Sequence, residues 1–179
     1  LGDKSVDYTV SSALQTLLAE NETATLAGLS SSIVSIRRLC AQVVSQRRFA
    51  SAEGLLLDRA TYDHDNPEMF GVILGALANI GSKRSLSLFL TNLDHGDPIV
   101  AALCAESLGK VGGAEALPRL CSILDDAQRE ENYQTCDMRT WKAIEALGEM
   151  GNPEALACLV SYLHHRNPTA RRIIVETLV

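Results

Sequence analysis

Large rings are scarce in this 179-residue chain: Phe, Tyr and Trp together make up 4% of it, with a single Trp. A folded core must then be aliphatic, and the supply is ample, because 46% of the residues are hydrophobic and 21% charged, the balance of a globular chain. Long apolar runs are missing too. The best candidates, such as Val72–Leu77, are broken by Gly or polar residues, so no membrane insertion is expected. There is no excess of positive charge; a net charge of −6 argues against a nucleic-acid partner, since phosphate recognition needs a basic face. Paired cysteines are absent as well. The five cysteines at 40, 104, 121, 136 and 158 form no C-x-x-C pair and no Cys/His cluster, which argues against structural zinc and for a reducing compartment, so a cytoplasmic location is expected. No Gly-rich phosphate loop, nucleophile elbow or catalytic carboxylate pair is visible, and no histidine is followed by glutamate; no catalytic or metal-binding residue is assigned.

What is present is a repeat. Ala-Leu-x-x-Ile-Gly at 76–81, Ser-Leu-x-x-Val-Gly at 107–112 and Ala-Leu-x-x-Met-Gly at 146–151 end three segments spaced by 31 and 39 residues. The pairs Asn66-Pro67, Asp97-Pro98 and Asn167-Pro168 open segments 31 and 70 residues apart, so both landmarks agree on one period and one eight-residue insertion. Asp or Asn caps a helix N-terminus, Pro fits the first turn, and Gly ends the helix by taking a left-handed conformation. Between them, Leu117, Leu120, Cys121 and Leu124 recur at helical spacing. Small residues beside the Leu are expected to let paired helices approach closely.

One helix pair cannot bury its apolar face alone, so the expected fold is all-α: a right-handed α-α superhelix of about five helix pairs in a single domain, 1–179. The repeats are expected at about 3–31, 32–62, 66–94, 97–125 and 137–164, with a partial one at 167–179. The first copy is degenerate, with helices over Val6–Ala19 and from Asn21 to Leu29. Ile33–Gln46 aligns with Asp97–Lys110 at an offset of 64, setting Ile36 on Val100, Leu39 on Leu103 and Cys40 on Cys104; its partner helix covers Ser51–Tyr62. Asp125–Cys136, which holds the insertion, is expected to be a polar loop, either functional or merely tolerated. The chain starts at Leu1 without a charged-then-apolar leader, and Pro168–Val179 is a first helix without a partner, so a piece of a longer chain is expected. Ile173, Ile174 and Leu178 are expected to be partly exposed there, a stripe suited to end-to-end self-association.

At DPIVAALCAESLGKVGGAEALPRL the repeat resembles the HEAT-like repeats of phycobilisome lyases, through Asp97, Pro98, Val100, Ala105, Leu108, Gly109, Val111, Gly112, Ala116, Leu117, Pro118 and Leu120. The likeness covers about 33–179. Arg37 and Arg171 match that family's arginine, whereas Ala101 and Thr140 stand in its place. The resemblance implies a HEAT-like solenoid. For function it implies either an interaction scaffold or a bilin lyase subunit, or a phycobilisome-associated chaperone or degradation factor, with bilin as the ligand in that case. A bilin site would call for aromatic and basic lining, of which the chain has little aromatic material to offer.

In a stacked array the second helices line the concave wall, and their residues form columns across repeats. Leu86/Leu117/Leu156, Phe89/Leu120/Leu159, Leu90/Cys121/Val160 and Leu93/Leu124/Leu163 are expected to be buried. Leu88/Arg119/Cys158 and Asn92/Ile123/Tyr162 are expected on the free side, with Leu88, Ile123 and Tyr162 partly exposed around Arg119. Such a patch either binds a partner or packs helix on helix. The candidate partner-binding residues of a non-enzymatic scaffold are accordingly Leu88, Asn92, Arg119, Ile123, Cys158 and Tyr162, the partner being another protein. Cys40, Cys104 and Cys121 read as buried small hydrophobes, Cys136 and Cys158 as the thiols that meet solvent. His64, His95, His164 and His165 fall at turns, with His95 and His164 aligning within one residue, and Trp141 is expected to pack in the core. Charge is uneven: Arg37, Arg38, Arg47, Arg48 and Arg59 make one end basic, and Asp125, Asp126, Glu130 and Glu131 an acidic loop; solvated helix faces account for both.

Overall fold

A computed structural model describes the backbone of residues 4–129 and 136–179 and, within those spans, the side chains from Ser12 onward. Among the described residues eleven α-helices follow one another with no strand. They are α1 (Lys4–Glu20), α2 (Glu22–Leu29), α3 (Val34–Arg47), α4 (Glu53–Tyr62), α5 (Pro67–Ile80), α6 (Leu86–Thr91), α7 (Pro98–Val111), α8 (Ala116–Arg129), α9 (Met138–Met150), α10 (Pro153–Ser161) and α11 (Pro168–Leu178). Among the described residues the fold is all-α, of the solenoid class. Contacts divide the chain into two compact units, Leu1–Ile80 with α1 to α5 and Gly81–Val179 with α6 to α11.

The helix starts follow the capping chemistry. Asp97 Oδ1 accepts the amides of Ile99 and Val100 at 2.8 and 3.2 Å, and Asn167 Oδ1 those of Thr169 and Ala170 at 2.7 and 3.0 Å. Asn66 takes the Met69 amide at 3.1 Å and Asn21 the Ala24 amide at 3.0 Å. Each satisfies amides that a first helical turn leaves without a partner. The second helix α10 uses the same device through Asn152-Pro153, with the Ala155 amide at 2.7 Å.

The helix ends follow it less evenly. Gly81 and Gly151 are left-handed, at φ 78° and 59°. Gly112 is not, with φ −62° and ψ 177°, because its role is steric: a Cβ there would collide with the Leu108 carbonyl and the Ala116 side chain. The equivalent position of the second repeat carries Arg48, which takes the left-handed conformation at φ 56° without being glycine. The small residues beside the Leu do permit close approach, but between successive first helices. A Cβ on Gly109 of α7 would stand 2.7 Å from the Ala146 Cα of α9.

Three expectations are corrected. Asp125–Arg129 continue α8, its acidic groups forming the helix's last turn, and residues 130–135, with Glu130 and Glu131, lie outside the described residues. Ile173 and Ile174 are buried, because that face of α11 lies against α9 and α10; Leu178 is half-buried, and the exposed apolar side chain of α11 is Val175. Ile36 is exposed although its aligned partner Val100 is buried, whereas Cys40 and Cys104 are both buried as aligned.

In the unit Leu1–Ile80 the basic cluster is largely neutralised. Arg37 and Arg59 both reach Asp63, at 2.8 and 3.1 Å, and Arg38 reaches Glu68. Arg37 also donates to the Ser31 and Ser32 carbonyls at 2.9 and 3.2 Å. Arg171, in the other unit, grips the His165 and Arg166 carbonyls in the same way, at 2.7 and 3.2 Å. The repeat's arginine thus clamps the turn that precedes its own helix.

Candidate functional site

The six candidate residues all belong to the unit Gly81–Val179, on or beside α6, α8 and α10. The stripe that α8 buries is Ala116, Leu120, Ile123 and Leu124, a spacing of four, three and one that places all four on one face. In α10 the corresponding residues Ala155 and Leu159 are buried. The helices are therefore turned by about one position from the expected register. Ile123, 2% exposed, is core and not part of a surface patch. Asn92 is buried too; it ends α6 and turns its Nδ2 back onto the Leu88 carbonyl at 2.9 Å.

The same rotation brings expected core residues outward. Leu117, Leu90 and Cys121 are half-buried, Leu156 is 38% exposed and Val160 52%. Cys121 faces the second helix that follows, Cys158 the one that precedes, and Arg119 also points back. What the two flanks do is join neighbours. Arg119 reaches back to Asp94 at 2.7 Å, and Arg139 of α9 holds the other oxygen of the same carboxylate, also at 2.7 Å. Cys121 of α8 and Cys158 of α10 are joined in a disulfide, with their Cα atoms 6.5 Å apart. Neither cysteine is the inert core thiol or the solvent-facing thiol expected of it.

Tyr162 is half-buried at the end of α10, and its hydroxyl donates to Asp125 of α8. Burial, then the hydrogen bond to Asp125 and that carboxylate's charge, push the phenol up to about 12. It is a structural tie and not an acid or base at neutral pH. Leu88 is half-buried. Beside the exposed Arg119, Leu156 and Val160, small side chains occupy further exposed positions: Ser87 and Thr91 on α6, Pro118 on α8, Ala157 and Ser161 on α10, with Ser122 half-buried among them. The hydroxyls of Thr91, Ser122 and Ser161 bond back to the carbonyls of Ser87, Arg119 and Cys158.

Sequence reasoning missed two features. Trp141 is 47% exposed, its indole donating to Glu145 at 2.8 Å, with Met138 also exposed one turn before it; core packing was the wrong expectation. The structural equivalent of His95 is His165, not His164. Both imidazoles accept the amide two residues on through Nδ1, Asp97 for His95 and Asn167 for His165, each at 3.0 Å. Ser31 Oγ does the same for the Ile33 amide at 3.2 Å. The signal was available in His64, His95 and His165, each two residues before the helix cap at the shared spacings of 31 and 70.

Among the described residues no three His, Cys, Asp or Glu side chains converge to hold a metal ion. The thiol of Cys104 is pushed up to about 12 by burial, and that of Cys136 to about 11 by burial and then by Asp137. Neither is poised as a nucleophile. The arrangement can present a surface.

A family model described as HEAT repeats matches residues 53–134, just under half of the chain, from the start of α4 through α8. That likeness is to HEAT repeats in general and does not single out the phycobilisome-lyase type. Comparison with curated proteins gives no match.

Proposed function

We propose that this chain is a non-enzymatic protein-binding scaffold whose partner lies across the second helices α6, α8 and α10. HEAT-like repeats are commonly interaction scaffolds, since stacked helix pairs offer extended surfaces that tolerate sequence change. The observation that carries the reading is the make-up of the wall: small outward side chains bordered by the exposed Leu156 and Val160. Small residues let a partner's backbone come close, and desolvated aliphatic anchors supply affinity. Leu88, Arg119 and Tyr162 stay in the proposed surface; Ile123 and Asn92 support it from beneath. In this reading the protein works in the cytoplasm, and among the described residues no helix is long and apolar enough to cross a membrane.

A photoreactive side chain at position 157 should capture a discrete partner, and one at position 142 on α9 should not. Leu156→Asp with Val160→Asp should abolish capture with the Tm nearly unchanged, since both residues are exposed. Capture from position 142 alone would move the site to the first helices.

The bilin lyase or phycobilisome-associated reading is favoured by the motif resemblance and ranks second. A bilin is a conjugated dicarboxylate, and on this wall the Arg119 guanidinium is already engaged by Asp94. A coloured protein after co-expression with a bilin pathway would reverse the ranking.

A further inference from the structure

We propose that Cys121 and Cys158 form a reversible thiol–disulfide site, oxidised by small-molecule disulfides, that locks α8 to α10 in one state and releases them in the other. The pair is specific. The two residues lie 37 apart in sequence, on consecutive second helices, one on the forward flank of α8 and the other on the backward flank of α10. Their Cα separation of 6.5 Å lies within the range a disulfide spans, so the helices need not move far to form or break the bond. Both residues are half-buried and not sealed in the core as Cys40 and Cys104 are, and the less enclosed disulfides are the labile ones. The remaining thiols make poor competitors: Cys40 and Cys104 are buried, and Cys136 has the raised pKa already described.

The chemistry is thiol–disulfide exchange with a disulfide such as oxidised glutathione as the co-reactant. One protein thiolate attacks the small disulfide, forming a mixed disulfide and expelling one small thiolate. The second protein thiolate then attacks the protein sulfur of that mixed disulfide and expels the other. Two electrons pass from the protein sulfurs to the oxidant, and the two protons lost from the cysteines end on two small thiols. In a reducing compartment of the kind the cysteine pattern implies, the thiol form would dominate and the bond would form under oxidative conditions.

The bond also lies beside the surface proposed for partner binding. Cys158 takes the hydrogen bond of Ser161 through its carbonyl, and Leu156 and Val160 flank it on α10. Oxidation would fix the spacing of the wall, and reduction would leave that spacing to packing alone. This consequence rests on the scaffold reading; the redox site itself does not.

The test equilibrates the whole protein in glutathione buffers from fully oxidised to fully reduced, traps thiols by alkylation at native pH, and maps the tryptic peptides. The expected result is a cross-link between peptides 120–129 and 143–166 that appears and disappears reversibly within the glutathione range. The oxidised form should melt several degrees higher, as expected for closing a loop of this length. Cys158→Ser should lose that redox-dependent shift; if it fails to fold, Cys121→Ala with Cys158→Ala serves instead. A cross-link absent in every buffer, or present in the fully reduced one, overturns the proposal. So does an equal melting shift in the cysteine variant. Photocapture from position 157 at both redox extremes reads the consequence separately: equal capture in both removes the effect on binding and leaves the redox site standing, whereas no capture in either counts against the scaffold reading.

Discussion

Arg37 and Asp63 form a buried ion pair at 2.8 Å, both side chains less than a tenth exposed, and the same guanidinium holds two carbonyls of the turn before α3. Removing Arg37 breaks that pair and leaves the buried Asp63 carboxylate to Arg59 alone, at 3.1 Å, a loss at the lower end of the range for breaking buried pairs, about 3 kcal/mol. Arg37→Ala should therefore be severely destabilising in denaturant titration. Arg171 makes the same two carbonyl contacts but is exposed, so Arg171→Ala should cost only about 1 kcal/mol. Equal losses in the two variants would mean that the carbonyl clamp, and not the buried pair, dominates.

Arg48 stands at the repeat's glycine position in a left-handed conformation. An L-residue there costs about 1–2 kcal/mol, and glycine gives back part of that through the entropy of its unfolded chain. Arg48→Gly should raise stability by roughly 0.5–1 kcal/mol, visible as a Tm increase of about 1–4 °C. Its helix-ending bond to the Val44 carbonyl runs from the backbone and survives the change.

His165 should make the protein sensitive to mild acid. Burial, opposed by the Leu124 carbonyl and reinforced by the Arg171 charge, holds its pKa below the ordinary histidine value of 6.5. A depressed folded-state pKa means full stability above about 6.5, lost as pH falls from there through the folded value, because the unfolded chain takes up the proton more readily. Protonation also removes the Nδ1 acceptor for the Asn167 amide, which opens α11. In His165→Asn an amide oxygen can serve as acceptor without titrating, so the fall in Tm between pH 7.5 and pH 5 should be smaller than in the parent. An identical fall would assign acid sensitivity to other groups.

The C-terminal helix offers a different surface from the one its sequence suggests. Ile174 is fully buried, so Ile174→Asp should unfold this end of its unit, at a cost of about 4 kcal/mol or more, whatever the oligomeric state. Self-association through α11 would have to use Val175, which is 51% exposed. Light scattering on Val175→Asp decides it: dissociation of an oligomer with the Tm preserved supports end-to-end contact, and unchanged scattering rejects it.

Local chemistry was legible residue by residue. Asp97-Pro98 and Asn167-Pro168 begin helices because a side-chain oxygen and a missing amide suit a first turn wherever they occur, and the spacing of those pairs carries the period of the whole array. The aliphatic spacing dictated helix pairs that bury one face. Which face goes inward was not decided at that level. Leu117, Leu120, Cys121 and Leu124 make as good a stripe as Ala116, Leu120, Ile123 and Leu124, and hydropathy favours the first because alanine carries little signal. Packing favours the second: Ala116 is fully buried and Gly112 comes so close to it that a Cβ would collide. That choice of about one position moved Ile123 into the core, put Leu156 and Val160 on the surface and set Cys121 against Cys158. Periodicity reports the angle between residues on a helix, whereas the rotation of the helix against its neighbours depends on the volumes that meet at the interface, and those exist only once the repeats are stacked.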